Sequence, residues 1–200
     1  MVTNPPFSLM KEYIPLLAES GKQFLVLGNM NHITFKEIFH YFRENKMWLG
    51  YNAGHFWFKV PDYYEAKNTD YKQDEDGQKW RRLGNICWFT NMDIDIRHQF
   101  LDLYKHFSIQ EYPEYDNYDA YFVKTVADIP CDTDKPLAVP ITFLSSFSPD
   151  QFELLDANQF RKYDEVPVKS HGLIKDKDGT IKGKATYARL LVRNRNPEKE

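Results

Sequence analysis

Apolar and polar residues fall into short blocks through the first fifty residues. Residues 24–27 form an unbroken apolar run that stops at Gly28-Asn29, a pattern typical of a strand buried on both faces, as in a parallel sheet. Residues 47–51 predict another strand. Only three residues precede Asn4, so we expect no structural element before it.

Two helices are predicted around these strands. The first runs from Leu9 to about Ser20, with Ser8 as its N-cap and Gly21 at its end. The second runs from Phe35 to about Asn45, with Thr34 as its cap and apolar residues three or four positions apart. The order helix, strand, helix, strand indicates an α/β fold.

The pattern becomes irregular after residue 52. Residues 55–60 and 85–89 predict strands, and the polar stretch 61–84 between them predicts a long loop. Residues 95–107 predict a helix.

The C-terminal part of the chain predicts strands. Asp178-Gly179 lies between two apolar pairs and predicts a hairpin turn, and residues 187–192 predict a last strand. Charge is also uneven here, although the whole chain has a net charge of -3. Residues 111–164 carry eleven acidic and four basic side chains, whereas residues 169–195 carry eight basic and two acidic ones. The basic segment is therefore a candidate nucleic-acid contact.

Composition indicates an ordinary globular chain of 200 residues, 42% hydrophobic and 28% charged. No run approaches the ~20 apolar residues of a membrane span, and the start of the chain lacks the features of a signal peptide. Two cysteines, Cys87 and Cys131, make no disulfide framework, so we expect a cytoplasmic protein. The histidines and cysteines show no paired ligand spacing, so no metal site is predicted.

The candidate chemistry lies at the start of the chain. Asn4-Pro5-Pro6-Phe7 matches the pattern Asp/Asn/Ser-Pro-Pro-aromatic. The motif is either a substrate-binding loop or a proline-rich turn leading into a helix. Residues 28–32 follow a predicted strand and either cap the next helix or border the same site, because ligands of open α/β sheets bind beyond the carboxyl ends of strands.

Longer blocks in the same order accompany the motif. With Asn4-Pro5-Pro6-Phe7, the chain resembles the EcoRI-type family of adenine-specific DNA methyltransferases over nearly its whole length. The further blocks are Gly28-Asn29, residues 33–39, 48–52, 87–93, 115–119, 139–144 and 150–153.

The resemblance implies methyl transfer from S-adenosylmethionine to the exocyclic N6 amine of adenine in double-stranded DNA, as in restriction-modification enzymes. The Asn4 side-chain oxygen and the Pro5 carbonyl are the implied acceptors for the amine hydrogens, and Pro6 stiffens the loop. Phe7 is the implied stacking partner of an adenine flipped out of the duplex.

The resemblance also implies a glycine-rich cofactor turn upstream of this motif. The chain contains no Gly-x-Gly-x-x-Gly sequence. We therefore expect a partial Rossmann-like class I methyltransferase sheet, its C-terminal half, followed by a mixed α+β region. Residues 1–110 are expected to form the catalytic half and residues 111–200 a region for DNA target recognition. The cofactor would be held with an N-terminal half as partner.

Six basic residues are predicted to contact DNA phosphates. They are Lys79, Arg81, Arg82, Lys182, Lys184 and Arg193. Arg189 and Arg195 belong to the same basic C-terminal segment. The alternative for all of them is a solvated charged surface. At the level of function, the alternative to an enzyme is a non-catalytic DNA-binding remnant that does not bind the cofactor.

Overall fold

The structure is a computed structural model. It describes residues 1–51, 54–65, 70–115, 119–156, 173–175, 181–184 and 189–199. Side chains are described over the same ranges except for residues 54–55, 156, 173–175 and 181–184.

Six strands make up an N-terminal sheet. They are β1 (Val2–Thr3), β2 (Leu25–Asn29), β3 (Trp48–Leu49), β4 (Gly54–Lys59), β5 (Tyr71–Gln73) and β6 (Lys79–Thr90). The strand order is β1-β2-β6-β3, and β4 and β5 pair with the first half of β6. The long strand β6 therefore connects the core of the sheet to a projecting three-stranded ribbon.

A short strand precedes Asn4, so the prediction that no element fits there is wrong. Val2 and Thr3 pair in parallel with Leu25 and Val26. The Leu25 amide donates to the Met1 carbonyl at 2.8 Å. Two residues suffice because β2 supplies a ready partner, a long-range contact that no local pattern encodes.

The sheet is mixed, which corrects the prediction of a parallel one. Strand β6 runs antiparallel to both β2 and β3 and lies between them. Since β2 and β3 both oppose β6, they run in the same direction as β1. In β2 buried and half-buried residues alternate, so its apolar run is not buried evenly on both faces.

Two α-helices follow β1 and β2. They are α1 (Met10–Glu19) and α2 (Lys36–Arg43). The predicted caps are wrong, because Ser8 and Thr34 lie inside 3-10 turns at Phe7–Leu9 and Met30–Thr34, and neither helix has a side-chain cap. The predicted end of α1 is confirmed, since Gly21 follows it with a φ of 67°.

The predicted polar loop 61–84 is wrong in its second half. Strand β5 and the first residues of β6 form antiparallel pairs there, with β6 between β4 and β5. Asn85 is the extra residue of a bulge between the Gly54–Ile86 and His55–Gly84 pairs, and its φ is 58°. Bulges bend a strand and increase its twist, so Asn85 marks where the ribbon leaves the core.

The predicted helix at 95–107 is also wrong, because only Asp95–His98 form a 3-10 turn. The following backbone is held by tertiary contacts instead. The backbone N–H of Leu101 donates to Oε1 of Gln151 at 2.7 Å, and the side-chain Nε2 of Gln151 donates to the Leu101 carbonyl at 2.7 Å. Lys105 forms a bridge with Pro130.

A second sheet follows in the chain. Its strands are β7 (Tyr121–Phe122), β8 (Leu137–Pro140), β9 (Phe152–Asp156) and, after the hairpin β10 (Leu173–Lys175) and β11 (Ile181–Lys184), the strand β12 (Arg189–Asn194). The order is β7-β8-β12-β9. The hairpin and the last strand are confirmed as elements, although the turn residues Asp178-Gly179 lie outside the described residues.

Both sheets share one buried apolar cluster. It includes Met10 of α1, Phe39 of α2, Phe89 of β6, Phe152 of β9 and Val192 of β12. The predicted boundary at residue 110 stays a prediction, and the cluster draws residues from both sides of it. Among the described residues, neither helix has the length and apolarity to cross a bilayer.

Gly28 is where the sheet and α1 approach most closely. A Cβ atom at this position would lie 2.4 Å from the Phe89 ring and 2.9 Å from the Met10 methyl. We expect Gly28→Ala to lower the free energy of unfolding by about 1–3 kcal/mol, measured by urea denaturation, because the core is overpacked. Phe89→Leu in the same chain should recover part of this loss. Strictly additive effects, or no loss in the single variant, would contradict the close approach.

Candidate active site

The motif Asn4-Pro5-Pro6-Phe7 begins directly after the end of β1. In the parallel ladder the backbone N–H and C=O groups of odd-numbered residues point toward β2, since the Met1 carbonyl accepts a hydrogen bond from the Leu25 amide. After Thr3 the next odd-numbered residue is Pro5, which has no N–H to donate to β2, so pairing stops at Thr3. Asn4 is consequently exposed at the carboxyl end of β1, beside the second half of β2.

The loop then turns directly into a helix. Pro6 has an extended conformation, with φ -55° and ψ 127°, and its carbonyl accepts from the Leu9 amide at 3.0 Å. The Met10 amide donates to the Phe7 carbonyl. Two prolines and these two hydrogen bonds restrict the backbone between Asn4 and Phe7, so the carbonyl of Pro5 is preorganised.

His32 supports the aromatic ring of the loop. The half-buried Phe7 ring meets the His32 ring edge to face, with centroids 5.5 Å apart. Two contacts hold His32 in place. Its Nδ1 accepts a hydrogen bond from the Asn29 amide at 3.3 Å, and its ring centroid lies 5.3 Å from that of Phe35. Residues 28–32 thus cap a 3-10 turn and contact Phe7 through His32, whereas their place beside a reaction site stays a prediction.

Burial lowers the pKa of His32 below its ordinary value of 6.5. At neutral pH the ring is uncharged, which leaves a lone pair on Nδ1 to accept the Asn29 hydrogen bond. The platform under Phe7 therefore depends on an uncharged imidazole. Sequence analysis placed residues 28–32 near the site but gave no role to His32, since the contact with Phe7 is tertiary.

The site combines one exposed side-chain amide, one proline carbonyl and one supported aromatic ring. The amide and carbonyl oxygens can accept two hydrogen bonds from a single amino group. The ring offers a flat apolar surface beside them. Such a set suits a planar substrate bearing an exocyclic amine.

The basic residues predicted from sequence do not form one surface. Lys79 and Arg81 are held by the 62–64 segment: Lys79 donates to the carbonyls of Asp62 and Tyr64, and Arg81 donates to the Tyr64 hydroxyl. Arg82 points to the other face of the same strand and pairs with Asp70 at 2.6 Å. Alternation along β6 separates them.

The C-terminal basic residues also lie in different parts of the structure. Lys182 and Lys184 lie on β11, and their side chains fall outside the described residues. Arg193 is exposed and lies 3.6 Å from Glu153. Arg189 is buried, donates to the Val123 carbonyl at 2.5 Å and lies over the Phe122 ring, so it contributes to the core rather than to a charged surface.

One face of the ribbon brings together cations and indole rings that sequence analysis did not group. This ribbon face consists of Trp57, Lys59, Lys72, Trp80 and Arg82. Lys72 Nζ lies 4.6 Å from the Trp57 ring and 5.8 Å from the Trp80 ring, and Lys59 Nζ lies 5.3 Å from Trp80. Only the register of β4, β5 and β6 brings these side chains together, and the sequence predicted residues 61–84 as a loop.

Comparison with known proteins identifies the family of the chain. The family model described as "Adenine-specific methyltransferase EcoRI" matches residues 1–195, and the chain therefore belongs to that family.

Individual relatives are type II methyltransferases. The chain is 42% identical to M.EcoRI of Escherichia coli, over 100% of this chain and 58% of the relative. It is 36% identical to M.MpnI of Mycoplasma pneumoniae, over 98% of this chain and 64% of the relative. Thus the chain spans about three fifths of the length of these relatives. No solved structure matches the chain significantly.

Acid should weaken the platform under Phe7. Because burial lowers the pKa of His32, the folded state binds fewer protons than the unfolded state. The stabilisation is complete above pH 6.5 and is lost as the pH falls below that value. We expect His32→Gln to reduce the loss of unfolding free energy between pH 7.5 and 5, measured by urea denaturation. Identical pH profiles for the two proteins would contradict the role of the uncharged ring.

Proposed function

We propose that this chain is the catalytic and DNA-contacting part of a DNA adenine methyltransferase of the restriction-modification type. The observation that carries the proposal is the Asn4-to-Phe7 loop, presented at the carboxyl end of β1 with Asn4 exposed and Phe7 supported by His32. Family membership supports adenine as the methylated base. The substrate is double-stranded DNA, and the methyl group comes from S-adenosylmethionine.

The loop residues activate the exocyclic amine by hydrogen bonding. The lone pair of that amine is delocalised into the purine ring, which makes the nitrogen a poor nucleophile. When the Asn4 oxygen and the Pro5 carbonyl each accept one amine hydrogen, they favour a pyramidal nitrogen whose lone pair would displace the methyl group from the sulfonium sulfur. S-adenosylhomocysteine would be the leaving group, and the methylated amine would release one proton to water. The rigid prolines hold the Pro5 carbonyl in place before the substrate arrives, so little reorganisation is needed.

Phe7 binds the base that presents this amine. In a duplex the amine is paired and out of reach, so the adenine must leave the stack. A flipped base that stacks on Phe7 regains part of the lost stacking energy, and aromatic stacking contributes about 1–3 kcal/mol per base. The His32 ring below Phe7 keeps that surface in position.

The strand arrangement supports a partial class I methyltransferase sheet. Strands β1, β2 and β3 run in one direction, and the antiparallel β6 lies between the last two. We assign this sheet to the C-terminal half of a Rossmann-like fold. The second sheet, β7-β8-β12-β9, is the added mixed region, to which target recognition is assigned as a proposal.

Four described glycines, at positions 21, 28, 50 and 77, do not offer a cradle for S-adenosylmethionine. The space beside Gly28 is filled by Phe89 and Met10, and a Cβ at Gly50 would lie 3.1 Å from Trp88. Gly21 and Gly77 have positive φ angles in turns. The described residues therefore fit the amine better than the cofactor. In this proposal an N-terminal half outside this sequence holds the cofactor, and the chain supplies the amine-binding loop.

The ribbon face is the proposed DNA contact. A two- or three-stranded antiparallel ribbon fits the major groove of B-form DNA, and Lys59, Lys72 and Arg82 place cations beside phosphates. Of these three residues, Arg82 was also predicted from the sequence to contact DNA phosphates. Lys79, Arg81, Lys182, Lys184 and Arg193 stay predicted phosphate contacts on other surfaces of the chain.

Substitution of Asn4 tests the catalytic loop. The assay uses a chimaera in which this chain replaces the matching segment of the E. coli relative, with transfer of a labelled methyl group to DNA as the readout. We expect Asn4→Ala to slow transfer by at least about 10²-fold, as for loss of one preorganised hydrogen-bonding group. Asn4→Asp, which retains an acceptor oxygen, should keep more activity. Equal activity of Asn4→Ala and the parent would contradict the assignment.

Substitution of Lys72 tests the ribbon face. We expect Lys72→Gln to weaken binding of the chain to a labelled duplex and to reduce the slope of log K against log salt by about 1, because one phosphate contact is lost. Fluorescence anisotropy at several salt concentrations measures both. Lys135→Gln is the matched control, since Lys135 Nζ also lies over aromatic rings, 5.0 Å from that of Tyr121. The ribbon assignment fails if the two variants bind DNA alike.

One observation favours a second candidate function. Because these four glycines form no cofactor cradle while the ribbon face presents cations and indole rings, the second candidate is a non-catalytic DNA-binding remnant. The two functions differ in one outcome of the assay above. A chimaera that binds DNA normally but transfers no methyl group would support the remnant, whereas transfer supports the enzyme.

A further inference from the structure

A cluster of metal-ligating atoms lies far from the catalytic loop in sequence. His106, Cys131 and Asp132 each present one ligand atom, and these atoms all lie within 4.8 Å of one another. His106 Nδ1 lies 3.8 Å from Cys131 Sγ and 3.1 Å from an oxygen of Asp132. The Glu198 carboxylate lies near this group of three.

These distances match those between ligands of a tetrahedral zinc ion. With Zn–S near 2.3 Å and Zn–N and Zn–O near 2.0–2.1 Å, a sulfur and a nitrogen ligand lie about 3.5 Å apart and a nitrogen and an oxygen about 3.4 Å apart. The observed separations of 3.8 and 3.1 Å lie on either side of these values. Two of the three separations are therefore within a few tenths of an ångström of zinc geometry, and the third is no more than 4.8 Å.

The arrangement does not suit nucleophilic catalysis. A histidine that activates a thiol binds the sulfur through one ring nitrogen and its orienting carboxylate through the other. Here His106 turns the same atom, Nδ1, toward both Cys131 and Asp132. Convergence on a single point in space is typical of a metal site.

Backbone hydrogen bonds connect the two ligand segments to each other and to the C-terminal segment. The Cys131 amide donates to the Lys105 carbonyl at 2.8 Å, and the Phe107 amide donates to Asp132 at 2.7 Å. The Glu198 amide donates to the Cys131 carbonyl at 2.9 Å. Because the ligands are distant in sequence, no spacing motif reveals them, and sequence analysis predicts no metal site.

The local charge favours a cation. The carboxylates of Asp132 and Glu198 lie near the Cys131 thiol. Cys131 is buried, whereas the His106 side chain is 74% exposed, so a metal ion can enter from the solvent side.

We propose that His106, Cys131 and Asp132 form a binding site for Zn(II), with the fourth position of the tetrahedron open to water. The ion joins the segment at 105–107 to residues 131–132.

The test uses the full 200-residue chain, freed of metal with a chelator. Titration with Co(II) should give a near-ultraviolet thiolate-to-cobalt absorption that saturates at one ion per chain, and Zn(II) should abolish it by competition. Zn(II) should also raise the midpoint of thermal unfolding. No thiolate absorption, or an unchanged midpoint, would overturn the proposal.

Variants locate the site. Cys131→Ser should lose the thiolate absorption, and His106→Gln should weaken Co(II) binding by roughly tenfold or more. His106 is exposed, so this variant stays informative if Cys131→Ser does not fold. His98→Gln is the matched control, because His98 is also an exposed histidine paired with an aspartate, Asp93 at 2.8 Å. Absorption that persists in Cys131→Ser, or equal weakening by His98→Gln, would contradict the site.

Discussion

The missing N–H of Pro5 determines where the candidate active site lies. The parallel pairing of β1 with β2 would need that hydrogen to continue, so the strand ends and the chain leaves the sheet at Asn4. Everything the loop presents follows from this break: the exposed side chain of Asn4, the carbonyl of Pro5, and the turn that carries Phe7 onto His32. A strand that continued by two residues would use the Pro5 carbonyl as a ladder acceptor.

Close packing fixes the other side of the same region. Gly28 allows β2, the Phe89 ring and the Met10 side chain to meet without a Cβ between them. Immediately after Gly28, Asn29 and His32 cap the turn that supports Phe7. The core and the site therefore share one strand, and a change in packing at Gly28 is transmitted directly to the platform under the loop. The bulge at Asn85 separates this rigid part from the ribbon.

Local signals in the sequence predicted the local features. The apolar run 24–27, the two helices and the end of α1 at Gly21 were predictable, because strand and helix periodicity and a glycine at positive φ are properties of short segments. Features that depend on distant partners were not. Strand β1 needs β2, the backbone at 99–105 needs Gln151 and Pro130, and β5 needs β6. At the site, the motif identified Asn4 to Phe7, whereas His32 and Lys72 appear only through tertiary contact and strand register.

The central claim is that this loop holds the exocyclic amine of adenine. The most direct measurement is nucleoside analysis by mass spectrometry of duplex DNA treated with S-adenosylmethionine and the chimaera that carries this chain in the E. coli relative. Our account predicts N6-methyladenine as the product. A methyl group on the amine of cytosine or on a ring carbon would contradict it, as would unmodified DNA under conditions in which the parent relative methylates.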